Sequence, residues 1–310
     1  MTAPPSPNAA PRTIAMTGAT GFVGAETLEQ LLDKGFAVRA LTRRPQQDRA
    51  GVTWVKGALD LPETLDELVH GADLVLHIAG VVNAPDRAGF EAGNGIGTAN
   101  VIAAMKRAGV KRLIHVSSIA ARERVLSNYC WSKALAEDHV RGSGLIWAMV
   151  RPPAVYGPRD TEFREILRVA SHGLMPVPPQ GRSSLIHVRD LARLLVLLCG
   201  EAGDAFHGTV WEVDDGTPRG LSHPDLAAAL GRALGRRVRA IPLPRAMVIG
   251  VAQLDRLFRG PRAKLTPDRA RYMCHPDWVA HPAMKPPATF WKPEIPAATG
   301  LAEIAAEFRR

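Results

Sequence analysis

The chain has 310 residues, of which 46% are hydrophobic and 5% aromatic, a balance typical of α/β proteins with a buried parallel sheet. Its 39 basic and 30 acidic residues give a formal charge of +9, which suits phosphorylated cofactors, anionic substrates, nucleic acid or anionic membranes. Three cysteines without CxxC spacing argue against a disulfide framework and a thiolate metal site, and they favour the cytoplasm.

The first half of the chain alternates short apolar runs with amphipathic segments. After a Pro- and Ala-rich stretch over residues 1–12, which predicts a disordered tail, this alternation predicts an α/β fold with a doubly wound parallel sheet, the Rossmann fold. Helices are expected to begin near Phe22, Glu63, Gly89 and Ser127. The expected strands cover residues 13–19, 37–43, 52–57, 73–80, 112–118 and 145–152.

The later chain divides between this sheet and a second, smaller unit. The Rossmann domain is expected to cover residues 13–155. A strand-helix unit and a further strand over about 184–213 are expected to belong to it as well. The Pro- and Gly-rich connections of 156–183 and 214–310 predict a smaller C-terminal substrate-binding lobe that closes over the sheet.

A glycine-rich turn joins the first strand to the first helix. The run TGATGFVG places Gly18, Gly21 and Gly24 in a GxxGxxG spacing. The first glycine permits a tight turn, the second lets the backbone approach a diphosphate, and the third allows close helix packing. Oriented N–H groups and the helix dipole then attract the phosphates. Between a strand and an amphipathic helix, this turn predicts a dinucleotide site.

The end of the second strand indicates which dinucleotide is bound. An NAD site usually has a carboxylate there for the ribose hydroxyls, but this strand ends in Arg43 and Arg44. Two guanidinium groups suit an additional 2'-phosphate, because arginine offers planar paired donors and a fixed charge. NADP(H) is therefore the preferred cofactor. If both arginines only cover a solvated strand end, NAD(H) is the alternative.

Three residues form the predicted catalytic group. Tyr129 and Lys133 lie four residues apart in YCWSK, so a helix places the phenol and the ammonium on one face. The ammonium can lower the pKa of the phenol and reach the cofactor ribose. Ser118 closes the fifth strand at the sheet edge where doubly wound folds bind ligands, and its hydroxyl can orient a substrate oxygen.

Eight short motifs lie along nearly the whole chain: TGATGFVG, LDLP, HIAG, NGIGTAN, SSIAA, YCWSK, RPPAVYGP and LIHVRDLA. Together they resemble the extended short-chain dehydrogenase/reductase family, also called the NAD-dependent epimerase/dehydratase family. By this resemblance Tyr129 is the general acid toward a carbonyl oxygen, or the base in reverse. Lys133 tunes the tyrosine and holds the ribose, and Ser118 stabilises the developing alkoxide.

The resemblance, together with the two arginines, also implies a set of cofactor contacts at the sheet edge. These are Gly18, Thr20, Gly21, Phe22, Val23, Arg43, Arg44, Asp60, Leu61, Ala79, Gly80, Asn94, Tyr129, Lys133 and Pro152.

The substrate signatures favour simple carbonyl chemistry. Nucleotide-sugar relatives carry an asparagine where RPPAVYGP has Ala154, and a dehydratase needs an acid closer to the catalytic serine than Glu123. We therefore expect reduction of a ketone or aldehyde, or oxidation of the alcohol, of a hydrophobic or lipid-like small molecule. A nucleotide-sugar epimerase or dehydratase is the first alternative. The second is a non-catalytic, cofactor-binding regulatory subunit, although such relatives often lose the tyrosine or lysine.

The segment 244–262 predicts an amphipathic helix. Such a helix either packs within the substrate lobe or rests on the inner face of an anionic membrane as a peripheral contact. Its apolar face combines Met247, Val248, Val251, Leu254, Leu257 and Phe258, with Arg256, Arg259, Arg262 and Lys264 close by. The family resemblance also implies a homodimer. Nucleic acid is not expected, because basic and aromatic residues do not alternate, and no histidine pair has metal-ligand spacing.

Overall fold

The computed structural model describes residues 12–260, 263 and 265–309, and its centre is a seven-stranded parallel sheet. The strands of this sheet are β1 (Thr13–Thr17), β2 (Ala37–Thr42), β3 (Val52–Lys56), β4 (Leu74–His77), β5 (Arg112–Val116), β6 (Ile146–Arg151) and β11 (Thr209–Glu212). Their order is β3-β2-β1-β4-β5-β6-β11, and all neighbours are parallel. This is the Rossmann order with one further strand, so the predicted fold class is confirmed. Residues 1–11 of the expected tail lie outside the described residues.

Helices cover both faces of the sheet. They are α1 (Phe22–Asp33), α2 (Pro62–Val69), α3 (Arg87–Phe90), α4 (Gly97–Ala108), α5 (Asn128–Arg141), α6 (Thr161–Ala170), α7 (Val188–Cys199), α8 (His223–Leu234), α9 (Arg245–Arg259), α10 (Pro267–Met273) and α11 (Ala297–Phe308). In β1, Ile14 and Met16 pack against α1 and α7, whereas Ala15 faces α2, α4 and α5. Burial on both faces explains why successive positions of β1, Ile14, Ala15 and Met16, are apolar.

The helix expected near Gly89 is interrupted. The structure has the short helix α3, then a π-helical turn over Glu91–Ile96, and then α4. A helix thus begins within two residues of the expected position, but it does not continue as one regular α-helix. The π turn brings the buried Asn94 side chain toward the end of β4, where it bonds the backbone of Val81, so a local functional contact outweighs regular helical geometry.

Small sheets and helices form a second layer at the carboxyl edge of the main sheet. Its strands are β7 (Ala154–Tyr156), β8 (Leu174–Val177), β9 (Arg182–Ser183), β10 (Leu185–His187), β12 (Leu221–Ser222), β13 (Arg239–Pro242) and β14 (Asp277–Trp278). They pair as β7 with β10, β8 with β13, and β9 with β12 and β14. Helices α6, α8 and α11 share a separate core that includes Phe163, Leu230 and Leu301.

The segment near 184–213 contributes to both layers. Its helix α7 packs against α1, and β11 joins the main sheet beside β6. Strand β10 instead pairs with β7 outside that sheet. Among the described residues, no helix is long and apolar enough to cross a membrane.

Candidate active site

The carboxyl edge of the main sheet collects the predicted site residues. Because all seven strands are parallel, the segments that follow their ends meet along one edge. Those segments carry Gly18, Thr20, Gly21, Phe22 and Val23 after β1, Arg43 and Arg44 after β2, Asp60 and Leu61 after β3, Ala79 and Gly80 after β4, Ser118 after β5, and Pro152 after β6. Asn94 reaches this edge from the π turn, and Tyr129 and Lys133 lie on α5.

The glycine turn is closely packed on one side and open on the other. Gly18 has φ +78°, and a Cβ there would lie 2.7 Å from the backbone nitrogen of Ala79. A Cβ on Gly24 would lie 1.9 Å from the carbonyl oxygen of Gly18, so α1 begins directly against the turn. Gly21 caps α1 without a side-chain hydrogen bond, and the first turn carries no acidic residue. The amides of this first turn therefore fit a diphosphate.

Arg43 and Arg44 lie exposed directly after β2. Thr42 fixes their turn, because its Oγ1 donates to the Arg44 carbonyl at 2.7 Å and accepts from the Arg44 nitrogen at 3.3 Å. Within the described part of the chain, neither guanidinium has an ion-pair partner. Both cations therefore remain available to an anionic group at the sheet edge.

Ser118 lies beside Tyr129, close enough for its side chain to lower the pKa of the phenol. Ser118 is buried at the start of a 3-10 turn over Ile119–Arg122, where its Oγ also accepts from the Ala120 nitrogen at 3.2 Å. Burial raises the pKa of Tyr129, and the Ser118 side chain opposes this rise. The phenol is therefore protonated at neutral pH and can donate its proton to an oxygen that approaches both hydroxyls.

Lys133 is buried one helical turn after Tyr129, and its Nζ donates to the Val116 carbonyl at 3.0 Å. A Cβ built on Gly80 would lie 3.7 Å from this ammonium, which places the ammonium beside the segment after β4. Burial lowers the pKa of Lys133 to about 8, although the charge of Glu137 opposes the shift. Lys133 is not among the groups that shift the Tyr129 pKa, so its expected tuning of the phenol stays a prediction.

Two neutral histidines lie beneath Lys133. His77 bonds Thr17 Oγ1 at 2.7 Å and Thr98 Oγ1 at 3.0 Å, and its ring stacks on His115 with centroids 5.2 Å apart. Burial lowers the pKa of His77 to about 3 and that of His115 well below its ordinary range, and the charge of Lys133 lowers both further. Lys133 is therefore the cation of this buried pocket.

The Asn94 side chain forms hydrogen bonds that fix the segment after β4, which lies beside Lys133. Its Oδ1 accepts from the Val81 nitrogen at 2.7 Å, and its Nδ2 donates to the Val81 carbonyl and to Ser132 Oγ, each at 2.9 Å. These bonds connect the chain after β4 to α5. Pro152 acts similarly, because its carbonyl accepts from the Ile119 nitrogen at 3.1 Å and ties β6 to the turn after Ser118.

Aromatic side chains form the wall of the site on the substrate side. The Tyr129 ring lies 6.0 Å from Phe90 and 5.7 Å from Tyr272 between centroids, and Tyr272 in turn lies 4.7 Å from Trp278. A cavity of about 150 Å³ opens beside Phe90, between the loop at Asp86 and the helices α9 and α10. The wall suits an apolar substrate next to the phenol.

Two groups that position α5 were not foreseen from the sequence. Asp268 on α10 accepts from the Asn128 nitrogen at 2.7 Å and the Tyr129 nitrogen at 3.4 Å, so the second layer caps the catalytic helix. The buried Glu137 binds Arg151, which also reaches the buried Glu212. No local signal identifies these partners, because they lie 140, 14 and 61 residues apart along the chain.

Comparisons with known proteins agree with this geometry. A family model described as NAD(P)H-binding matches residues 18–198, more than half of the chain. In fold the chain is similar to Bordetella bronchiseptica WbmH in complex with NAD+, with a TM-score of 0.68 at 21% identity over 97% of this chain and 99% of that one. It is also similar to the human epimerase family protein SDR39U1 with NADPH, with a TM-score of 0.72 at 21% identity over 95% and 99% of the two chains.

A curated relative extends the similarity to the sequence. The chain is 35% identical over 277 residues to the ceramide reductase of Caulobacter vibrioides, covering 86% of this chain and 85% of the relative. The chain belongs to the extended short-chain dehydrogenase/reductase family. It is 30% identical over 230 residues to a farnesyl-dihydroquinoline-oxide ketoreductase of Stigmatella aurantiaca, covering 66% of this chain and 68% of the relative.

Membership of the extended short-chain dehydrogenase/reductase family makes the chain a nicotinamide-dependent oxidoreductase with a dinucleotide-binding domain. The glycine turn and the start of α1, where no side chain bonds the first amides, are compatible with that cofactor.

Proposed function

We propose that this protein is an NADP(H)-dependent reductase of a ketone or aldehyde on a hydrophobic, lipid-like molecule, with Tyr129 as the general acid. The observation that carries the proposal is the placement of Ser118, Tyr129 and Lys133 at one edge of the sheet, where Ser118 lies beside the protonated Tyr129 phenol and the rings of Phe90 and Tyr272 pack around it. This arrangement can hold a carbonyl oxygen between two hydroxyl groups and give it a proton.

The protein's part in the reaction is proton transfer and orientation. When bound, the reduced nicotinamide supplies the hydride that the carbonyl carbon accepts. Ser118 donates a hydrogen bond to the substrate oxygen and steadies the negative charge that develops there. Tyr129 transfers its proton to that oxygen, and the positive charge of Lys133 favours the tyrosinate that remains. The reverse sequence oxidises the alcohol, with Tyr129 as base.

Arg43 and Arg44 support the preference for NADP(H). They are exposed cations at the end of β2 and have no ion-pair partner among the described residues, so a 2'-phosphate would gain two guanidinium groups without displacing a carboxylate. NAD(H) remains the competing cofactor, and a direct comparison of affinities decides between them.

The aromatic wall and the relatives support a lipid-like substrate. The rings of Phe90 and Tyr272 pack beside the Tyr129 ring. The relatives that match most of the chain include the ceramide reductase and a 2-alkyl-3-oxoalkanoate reductase of Stenotrophomonas maltophilia, both named for substrates with long apolar chains. Ala154 on β7 provides no amide for the diphosphate of a nucleotide sugar, which leaves epimerisation or dehydration as the second candidate.

Cofactor titrations and turnover assays with matched variants test the proposal. We expect NADPH to bind more tightly than NADH, and Arg43→Ala/Arg44→Ala to weaken NADPH about 10- to 100-fold while leaving NADH unchanged. Arg232→Ala/Arg237→Ala removes the same charge from exposed positions of the second layer and serves as the control. Equal affinity for both cofactors, or tighter binding of NADH, would contradict the NADP(H) preference.

Turnover is measured with long-chain keto compounds, and with UDP-sugars as the competing class. Tyr129→Phe should bind NADPH normally but lose ketone-dependent NADPH oxidation by at least about 100-fold. Tyr156→Phe is the matched control, because the buried Tyr156 hydroxyl has no hydrogen-bond partner among the described residues. Conversion of a UDP-sugar without net cofactor oxidation would instead establish the epimerase alternative.

A further inference from the structure

Helix α9 has two apolar sides, and only one of them is covered. Val248 and Ala252 are buried against α10, where they pack around Ala270. The sequence pattern had grouped Val248 with the other apolar residues, but the structure turns it inward. Ile249 packs against the same cluster. The exposed large apolar side chains form the α9 apolar face, which consists of Met247, Val251, Leu254, Leu257 and Phe258, between 48% and 81% exposed.

The α9 apolar face is unusual on this molecule. It holds five of the fifteen exposed large hydrophobic residues in the described chain, although α9 itself has only 15 residues. Leu257 and Phe258 are 76% and 81% exposed, so packing within the substrate lobe does not account for them. A contiguous apolar surface of this kind on one helix marks a contact with a partner or a membrane.

The charge of the segment that carries this face indicates the occupant. In the sequence, residues 245–271 contain seven Arg or Lys and two Asp, a net charge of +5 within a chain of +9. Among the described arginines of this segment, Arg259 pairs with Asp255 and Arg269 with Glu162. The only acid on α9, Asp255, pairs with Arg259 and accepts from the Leu265 nitrogen at 2.9 Å. An anionic bilayer is complementary to this surface, because its acyl chains are apolar where they would meet the helix and its headgroups carry negative charge around that contact.

A second copy of the chain fits this surface poorly. In a two-fold dimer the same patch meets itself, so the basic segment would face its own positive charge. The charge that favours an anionic bilayer therefore opposes pairing through α9.

The α9 helix also borders the path to the catalytic tyrosine. Arg256, on the side of α9 that faces α10, lines the cavity of about 150 Å³ together with Phe90 and Asn128. The centroid of the Phe90 ring lies 6.0 Å from that of the Tyr129 ring, and Asn128 directly precedes Tyr129 in the chain. A membrane that holds the outer side of α9 would thus lie next to the opening of this cavity.

We propose that the α9 apolar face docks the protein on the surface of an anionic phospholipid bilayer, with Leu257 and Phe258 inserted among the lipids. This contact is peripheral, since the side chains of one helix enter the headgroup region while the sheet remains in water. The proposal stands on the surface of α9 and does not rest on the reductase activity. It adds a route by which an apolar substrate reaches Tyr129 without crossing water.

Vesicle flotation of the purified full-length protein tests the docking. Vesicles of phosphatidylcholine with about 30% phosphatidylglycerol are compared with pure phosphatidylcholine, at low salt and at about 0.5 M NaCl. We expect binding to the anionic vesicles that weakens with salt. Leu257→Ser/Phe258→Ser should lower the partition coefficient about 100-fold, roughly tenfold for each side chain withdrawn from the lipid.

The matched control is Ile146→Ser/Leu197→Ser, which removes two exposed apolar side chains from β6 and α7. This variant should float like the wild type. Circular dichroism and sedimentation velocity accompany both variants, so that unfolding or a change of oligomeric state is detected. The proposal is overturned if anionic vesicles fail to float the folded wild type, if both double variants lose binding equally, or if Leu257→Ser/Phe258→Ser splits a dimer that does not bind vesicles.

Discussion

The buried charge of Lys133 is expected to lower the free energy of unfolding. The fall of its pKa from an ordinary 10.5 to about 8 corresponds to about 3 kcal/mol of unfavourable free energy at neutral pH, because the folded state buries the charged amine. Replacing Lys133 by Met removes this cost but leaves the Val116 carbonyl without its donor, which costs about 1 kcal/mol. Lys133→Met should therefore raise the free energy of unfolding by about 2 kcal/mol at pH 7 while abolishing turnover.

The sign of this effect depends on pH. Between the folded pKa near 8 and the unfolded value of 10.5, the unfolded chain binds more protons at this site, so the wild type gains stability as the pH rises. The advantage of Lys133→Met should shrink to about zero at pH 10.

Urea unfolding of the cofactor-free proteins at pH 7 and pH 10 measures this difference, with the exposed Lys111→Met as the control. A Lys133→Met protein that is less stable than the wild type at pH 7, or an advantage that is the same at both pH values, would refute the reasoning.

Three further substitutions test the packing around the site. Gly24→Ala should abolish NADPH binding in a fluorescence titration, because the added Cβ would lie 1.9 Å from the carbonyl oxygen of Gly18. Gly250→Ala on α9 is the control: its Cβ meets nothing within 4 Å, so NADPH binding should be unchanged. Asp268→Ala should cost about 1 kcal/mol in urea unfolding and lower kcat more than it raises KM, because it uncaps the catalytic helix; an unchanged kcat would contradict this. Glu212→Gln should lower the unfolding free energy by about 3 kcal/mol, since it removes the buried carboxylate that pairs with the partly buried Arg122 and Arg151; a neutral effect would show that both arginines find other partners.

The main sheet and the ends of its strands could be predicted because their signals are local. Each strand is a short apolar run, and the glycine turn shows its geometry directly in the positions of Gly18 and Gly24. Parallel pairing then brings the strand ends to one edge without further information. The same rule places Ser118, Tyr129 and Lys133, because one follows a strand and two share a helical face; their catalytic roles stay a prediction.

The contacts that hold these residues in place could not be predicted in the same way. Asp268 caps the catalytic helix from the second layer, and Glu212 reaches Arg151 from the neighbouring strand. Both depend on how distant segments fold together, and neither spacing nor composition indicates it. The π turn at Asn94 was missed for a similar reason, since its side chain bonds the chain after β4 instead of following helical propensity.

The helix α9 illustrates a limit of periodicity. A period of 3.6 residues identifies an amphipathic helix but does not distinguish a buried apolar side from an exposed one. In the structure Val248 faces the interior and Phe258 faces outward, a distinction set by where α10 packs.

Transfer of deuterium from NADPH that carries deuterium at both C4 positions to the carbonyl carbon of a long-chain ketone tests the central claim most directly. Mass spectrometry of the alcohol should show one deuterium per product with the wild type. Tyr129→Phe should bind the cofactor and form essentially no labelled product. An alcohol formed without deuterium, or a Tyr129→Phe protein that reduces the ketone at the wild-type rate, would contradict the account.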